Sequence, residues 1–372
     1  GTATDASERL RLREKLETAE GLKGKARFFA ACQFMAQGQL RPAQAMLAEA
    51  VREDPKDFGP WVLKGRCHHM LEENADADAA YSTAIALRPT HARARLWRSA
   101  LLYAKGKNLE QAKADLDVAL KLQPNLIDAY VDRGLVLHAM GKHKEALEDL
   151  DWALSCPGVP SRVWFIRSRV KSALGDKIGA GKDFAHGIKS EPTDPISWVS
   201  RGFARFNDDP KGALTDFVKA EELAPRNYEA VFNQACLLGT KLGKYDDAVV
   251  VLDRLLKIYP DDYRASSSRA IFLVRAGKYD DAVTEARRCA KISQHPQAQY
   301  RAACVLAVAS TNKPALRNES LRLLATALTR GWGITQIEND KDLKPLHELA
   351  DFQQFLSFAR TIKAWALPGS KE

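Results

Sequence analysis

The stretch WVLKGRCHHM, residues 61 to 70, sets a cysteine, two histidines and a methionine at four consecutive positions. Thiolate, imidazole and thioether groups are ligands for soft and borderline metal ions such as copper and zinc. Whether they can share one ion depends on the element that carries them. On a helix, successive side chains point about 100° apart, so four neighbours in a row cannot converge. Trp61, Gly65 and His68 would share one face, which makes His68 a packed core histidine. Cys67 and Met70 fall on a second side and His69 on a third. Two of them could still meet a ligand from elsewhere, but no chelating motif is present, and neither a metal nor any other cofactor is expected.

Other chemistry is equally absent as motif. The chain has no GxxxxGK[ST], no HExxH, no GxSxG and no Cys/His pair at zinc-finger spacing. Carboxylates cluster in EEN at 72–74 and as DD at 208–209, 246–247, 261–262 and 280–281. At helix starts and turns such acids serve as caps or solvated charges. No catalytic residue is assigned, and the chain is not expected to be an enzyme. No apolar run reaches 18 residues, so no membrane span is expected. The six cysteines lack a CxxC or paired spacing, which favours reduced thiols and a cytoplasmic setting. The opening GTATDASERL has neither an initiator Met nor an apolar stretch, as in an excised fragment or a processed chain. A net charge of +9 permits an acidic partner without demanding nucleic acid.

The elements that position these residues are set by a period. Prolines at 55, 89, 124, 157, 192, 225, 260 and 296 are spaced by 33 to 36 residues. Each of the first seven follows a run such as DLDVALKLQP or VLDRLLKIYP, where proline ends a helix. Within each period a small residue is followed twelve positions later by alanine: Ala31 by Ala43, Gly65 by Ala77, Ala100 by Ala112, Gly134 by Ala146. Ser168 and Ala180, Cys236 and Ala248, Ala270 and Ala282 continue the rule, while Gly202 and Ala213 are one residue short. A large residue stands four positions before most of the small ones: Trp61, Leu96, Tyr130, Trp164, Trp198, Phe232. Two antiparallel helices per period satisfy this pattern, since small residues let axes approach and a bulky neighbour fills the wedge.

The motif YVDRGLVLHAMGKHKEALEDLDWALSCP at 130–157, with the glycine-led turns of LGKYDDAV and AGKYDDAV, resembles the tetratricopeptide repeat family over roughly residues 26 to 310. The resemblance implies an all-α, right-handed solenoid of antiparallel helix pairs, about eight repeats with helical caps. The expected organisation is an N-terminal helical cap at 1–25, a solenoid at 26–296, a terminal helix pair and capping module at 297–366, and a disordered tail at 367–372. YRAACVLAVAS and LLATALTRGWGITQIENDKDLKPLHELADFQQFL are similar to the closing module of large bacterial repeat proteins often fused to serine/threonine kinases. The kinase motifs themselves are missing from this chain.

In that family the first helix of each pair lines a concave wall. The expected open face is offset by one residue from the packing slots. It comprises Val62, Arg66 and His69; Trp97 and Leu101; Val131, Leu135 and His138; Phe165 and Arg169; then Val199, Phe203 and Phe206. The same offset gives Asn233, Leu237 and Thr240, then Ser267, Ile271 and Val274 further on. Apolar and aromatic side chains interrupted by arginine suit a peptide partner, acidic or amphipathic. The Lys/Asn clamp of repeats that grip chaperone tails is not matched, Asn233 standing alone. The segment ERLRLREKLETAEGL or the tail helix could instead cover the wall. Basic-aromatic runs at 88–98 and 161–171 are read as outer helix faces, so nucleic acid is not the expected partner. The expected function is a protein-interaction scaffold, with the regulatory region of a larger signalling protein as the alternative. Oligomeric state is left open.

Overall fold

A computed structural model describes residues 23–71, 73–104, 106, 108–293 and 295–366, with side chains from 25 to 361. The expected N-terminal segment before residue 23, the Glu72 carboxylate and the tail from 367 lie outside the described residues. The chain divides into two compact units, 1–193 and 194–372, a boundary inside the span expected to form one solenoid. Each unit is described by itself.

Every regular element is helical among the described residues. The first unit holds five antiparallel pairs: α1 (Lys23–Ala36) with α2 (Leu40–Glu53), α3 (Phe58–Met70) with α4 (Asn74–Leu87), α5 (Ala92–Ala104) with α6 (Leu109–Leu122), α7 (Ile127–Ala139) with α8 (His143–Ser155), and α9 (Arg162–Ala173) with α10 (Lys177–Lys189). The second unit holds α11 (Pro195–Arg205) with α12 (Pro210–Leu223), α13 (Tyr228–Thr240) with α14 (Tyr245–Ile258), α15 (Tyr263–Arg275) with α16 (Tyr279–Ile292), and α17 (Pro296–Ala309) with α18 (Leu316–Thr329). A 3-10 turn (Lys341–Leu346) and α19 (Ala350–Ala366) follow.

The periodic prolines from 55 to 260 fall between the second helix of one pair and the first of the next, whereas Pro296 opens α17. Without an N–H, proline cannot extend the preceding helix but suits a first turn. The paired acids act largely as expected. Asp209 accepts from the Gly212 amide at 2.9 Å and Asp262 caps α15 from Ala265 N. Asp246, Asp247, Asp280 and Asp281 sit in the first turns of α14 and α16, where the helix dipole favours negative charge.

The close approach within pairs is also present. A Cβ on Gly65 would lie 2.6 Å from the Tyr81 ring, one on Gly202 2.6 Å from Phe217, and one on Gly134 2.9 Å from Leu150. The wedge beside the small residue is therefore filled from the second helix, by a large residue fifteen or sixteen positions later. The turn between α7 and α8 needs glycine for a different reason: Gly141 has φ +76°, a left-handed backbone that side chains resist.

A guanidinium joins successive pairs. Arg133 on α7 forks onto Asp149 of its own second helix at 2.7–2.8 Å and reaches Asp117 of the preceding one at 2.8 Å. Arg167 does the same with Asp183 and Asp151, at 2.7 Å throughout. Burial pushes the Asp183 carboxyl up, yet Arg167 and Lys171 together hold it below the usual range. In the second unit Arg269 lies between Asp253 at 2.6 Å and Glu285 at 3.2 Å, while Arg201 forks onto the fully buried Asp216. The residue sixteen positions before Arg201 is Ala185, where the other three arginines have aspartate.

Candidate peptide-binding surface

First helices of consecutive pairs touch in series within each unit: α3, α5, α7 and α9 in one, α11, α13, α15 and α17 in the other. These rows are where an inner wall can form. The stretch WVLKGRCHHM occupies α3, and its four would-be ligands separate as helical geometry requires. Cys67 is buried and donates to the Leu40 carbonyl at 3.3 Å, while burial and then Glu73 push its thiol up to about 11. Met70 is exposed and His69 half-buried. His68 is buried, with Nδ1 2.7 Å from Glu73 Oε2. Glu73 also accepts from Gln44 at 2.7 Å and from Arg41, and Asp76 completes a set of donor atoms lying within 4.8 Å of one another. All six cysteines are free.

The expected face divides by burial. Arg66 and Arg169 are exposed, and His69, Trp97, Leu135, His138 and Phe165 are half-buried. Val62, Leu101 and Val131 are not open at all, a correction to the expected wall. Val62 packs with Phe58, Ile85 and Ala94, Leu101 with Tyr81 and Trp97, and Val131 with Ile166 and Val170. Their side chains are taken up by neighbouring helices, because first helices that touch leave no gap at that register. Phe165 is drawn aside too: its ring meets Phe184 edge-on at 5.7 Å and lies over Gly187 of α10.

In the second unit Val199 is buried beside Phe217 and Leu237, again against expectation. Phe203 is half exposed at 50%, and Phe206 is half-buried under the Lys241 ammonium, 5.8 Å from its ring centre. Asn233, Leu237, Ser267 and Val274 are buried, while Ile271 is half-buried. Asn233 donates to the Glu229 carbonyl of its own helix, so it is no clamp residue in this structure.

What remains accessible in the first unit is cationic and aromatic. The Arg66 guanidinium stands 5.5 Å from the Trp97 ring centre on the next first helix. Burial, His143 and Arg169 hold the His138 imidazole below its usual range. The arginine forks between pairs were missed in the sequence reading, although their signal is there. An arginine immediately before the small residue (Arg133, Arg167, Arg201, Arg269) is followed fifteen or sixteen positions later by Asp or Glu, and all but Arg201 are preceded by aspartate sixteen positions earlier. A separate cleft of about 920 Å³ between α4, α5, the start of α6 and the α7–α8 turn is lined by Asp78, Ser82, Arg98, Glu110 and Lys142, charges of both signs without a converging set.

The repeats are tetratricopeptide repeats. The family profile of that name matches residues 71–127 and 241–298. Human tetratricopeptide repeat protein 6 is 25% identical over 218 residues, covering 53% of this chain and 41% of the relative. Human protein O-mannosyl-transferase TMTC3 is 28% identical over 191 residues, covering 50% of this chain and 21% of the relative. This chain thus spans less than half the length of either. A crystal structure of a tetratricopeptide repeat protein from Parabacteroides merdae has the same fold over 63% of this chain and 94% of its own, with 18% identity and a TM-score of 0.51. The fold is that of a protein-interaction scaffold, and no helix among the described residues is long and apolar enough to cross a membrane.

Proposed function

We propose that the first unit binds an acidic, partly apolar peptide segment of a protein partner along α3, α5, α7 and α9. The observation that carries this reading is the accessible row Arg66, Trp97, Leu135, His138 and Arg169, two exposed arginines flanking half-buried aromatic and aliphatic side chains. Guanidinium groups offer forked donors to carboxylates, and the half-buried rings offer area at low entropic cost. The buried Val62, Leu101 and Val131 support the row from beneath.

Binding of fluorescent peptides carrying a hydrophobic residue beside acidic ones, measured by anisotropy, tests the reading. Arg66→Glu and Arg169→Glu are each expected to weaken the peptides that bind at least about tenfold, roughly 1.4 kcal/mol. Affinity should also fall with salt in the wild type and less steeply in the variants. Unchanged affinity in both variants, with an unchanged helical circular-dichroism signal, would place the working surface elsewhere.

A further inference from the structure

The chain has eight histidines, and two of them face each other across the turn between α7 and α8. His138 stands in the last turn of α7 and His143 is the first residue of α8. Their Nδ1 atoms are 3.1 Å apart, with ring centres at 4.8 Å. The backbone sets this separation: Gly141 N donates to the His138 carbonyl at 3.0 Å and Lys142 N to that of Leu137 at 2.8 Å.

Two neutral imidazoles so placed can share one hydrogen bond, one ring donating and the other accepting. The other occupant that suits two ring nitrogens at this spacing is a metal ion. With metal–imidazole bonds of about 2.0–2.1 Å, two nitrogens on one ion sit about 2.9 Å apart at a right angle and about 3.4 Å apart at the tetrahedral angle. The observed 3.1 Å lies between.

The group of three candidate donors found among the described residues is a poorer host. Glu73 of the His68, Glu73 and Asp76 group already accepts from Arg41, Gln44 and His68, so a cation there must displace a guanidinium.

The geometry points to His138 and His143 as a two-histidine site for a divalent transition-metal ion of the zinc type, binding through both Nδ1 atoms. Its remaining coordination positions are open to water or to a carboxylate or imidazole from a bound segment. That last clause rests on the peptide-binding reading, whereas uptake of the ion does not. Failure of one therefore leaves the other standing.

Calorimetric titration of Zn²⁺ into the full chain, free of any affinity tag and in a non-coordinating neutral buffer, tests the site. One ion per chain is expected, with binding weakened about tenfold or more by His138→Asn and by His143→Asn. Glu73→Gln, at the other donor group, should leave it unchanged. Absence of stoichiometric uptake, uptake indifferent to both histidine substitutions, or uptake lost in Glu73→Gln would each overturn the assignment. Should a histidine variant unfold, the wild-type imidazole signals decide: Zn²⁺ must shift those of His138 and His143, and unshifted signals refute the site.

Discussion

Between α5 and α10 each joint from one helix pair to the next carries an arginine that forks onto a carboxylate of its own pair and reaches one of the preceding pair, whereas the C-terminal segment from α17 to α19 is held mainly by apolar packing. In the first region Arg133 and Arg167 each span two second helices through carboxylates, one of them buried. In the second, Tyr300, Leu324, Ile337, Leu343, Leu346 and Phe352 form one apolar cluster, and the ion pair Arg360–Glu338 stays at its exposed edge. A repeat has to meet its neighbour at one angle and one register, and forked hydrogen bonds are directional. An irregular segment wrapped on its own side chains gains more from area, which has no direction.

Two substitutions probe this contrast at its largest. Phe352→Ala should cost about 3–5 kcal/mol through lost burial and a cavity. Asp149→Ala should cost a similar 3–5 kcal/mol, because the Arg133 fork loses its buried carboxylate. The pair differs in how it can be repaired. Arg133→Met combined with Asp149→Leu should recover most of the loss in urea unfolding, since well-packed apolar groups can replace a buried ion pair. If the double variant is no better than Asp149→Ala alone, the fork is a dominant source of stability rather than a device for alignment.

Overpacking comes next. Ala146→Leu and Ala248→Leu fill equivalent, fully buried slots in different pairs, and each should cost about 1–3 kcal/mol. Both regions of repeats share this wedge, so unequal losses would show that the pairs are not built alike.

Asp132 on α7 gives a pH test. Burial and then Asp128 push its carboxyl up to about 7, against a smaller opposing effect of Arg162. The folded state therefore holds this proton to a higher pH than the unfolded chain does. Stability from this group is highest in acid and falls as the pH rises from about 4 through 7, with the cost complete above that. Asp132→Asn should stabilise the protein by about 1–2 kcal/mol at pH 8 and by little at pH 4. Equal melting temperatures of the two proteins at pH 8 would sink the assignment. Smallest of all, Arg360→Ala should change stability by less than about 1 kcal/mol, as exposed pairs do. A larger loss would mean that the C-terminal segment depends on charge after all.

The helical pairs were legible because their determinants are local. Gly65 and Tyr81, or Gly134 and Leu150, lie sixteen residues apart and recur every repeat, so the period exposes them. The forks were legible in principle at the same spacing, as with Arg133 between Asp117 and Asp149. The open face was only half legible. Arg66 and Arg169 are exposed and Trp97 and His138 half-buried, but Val62, Leu101, Val131 and Val199 share that offset and are buried.

The sequence by itself determined the repeat, the antiparallel pairing and the failure of Cys67, His68, His69 and Met70 to converge, since each follows from helical periodicity and short-range sterics. Only the tertiary structure decided which residues of a first helix stay open, because that depends on the side chains of another helix a full repeat away. It also brought His138 to His143 and His68 to Glu73 across turns whose backbone angles the residue types permit but do not dictate.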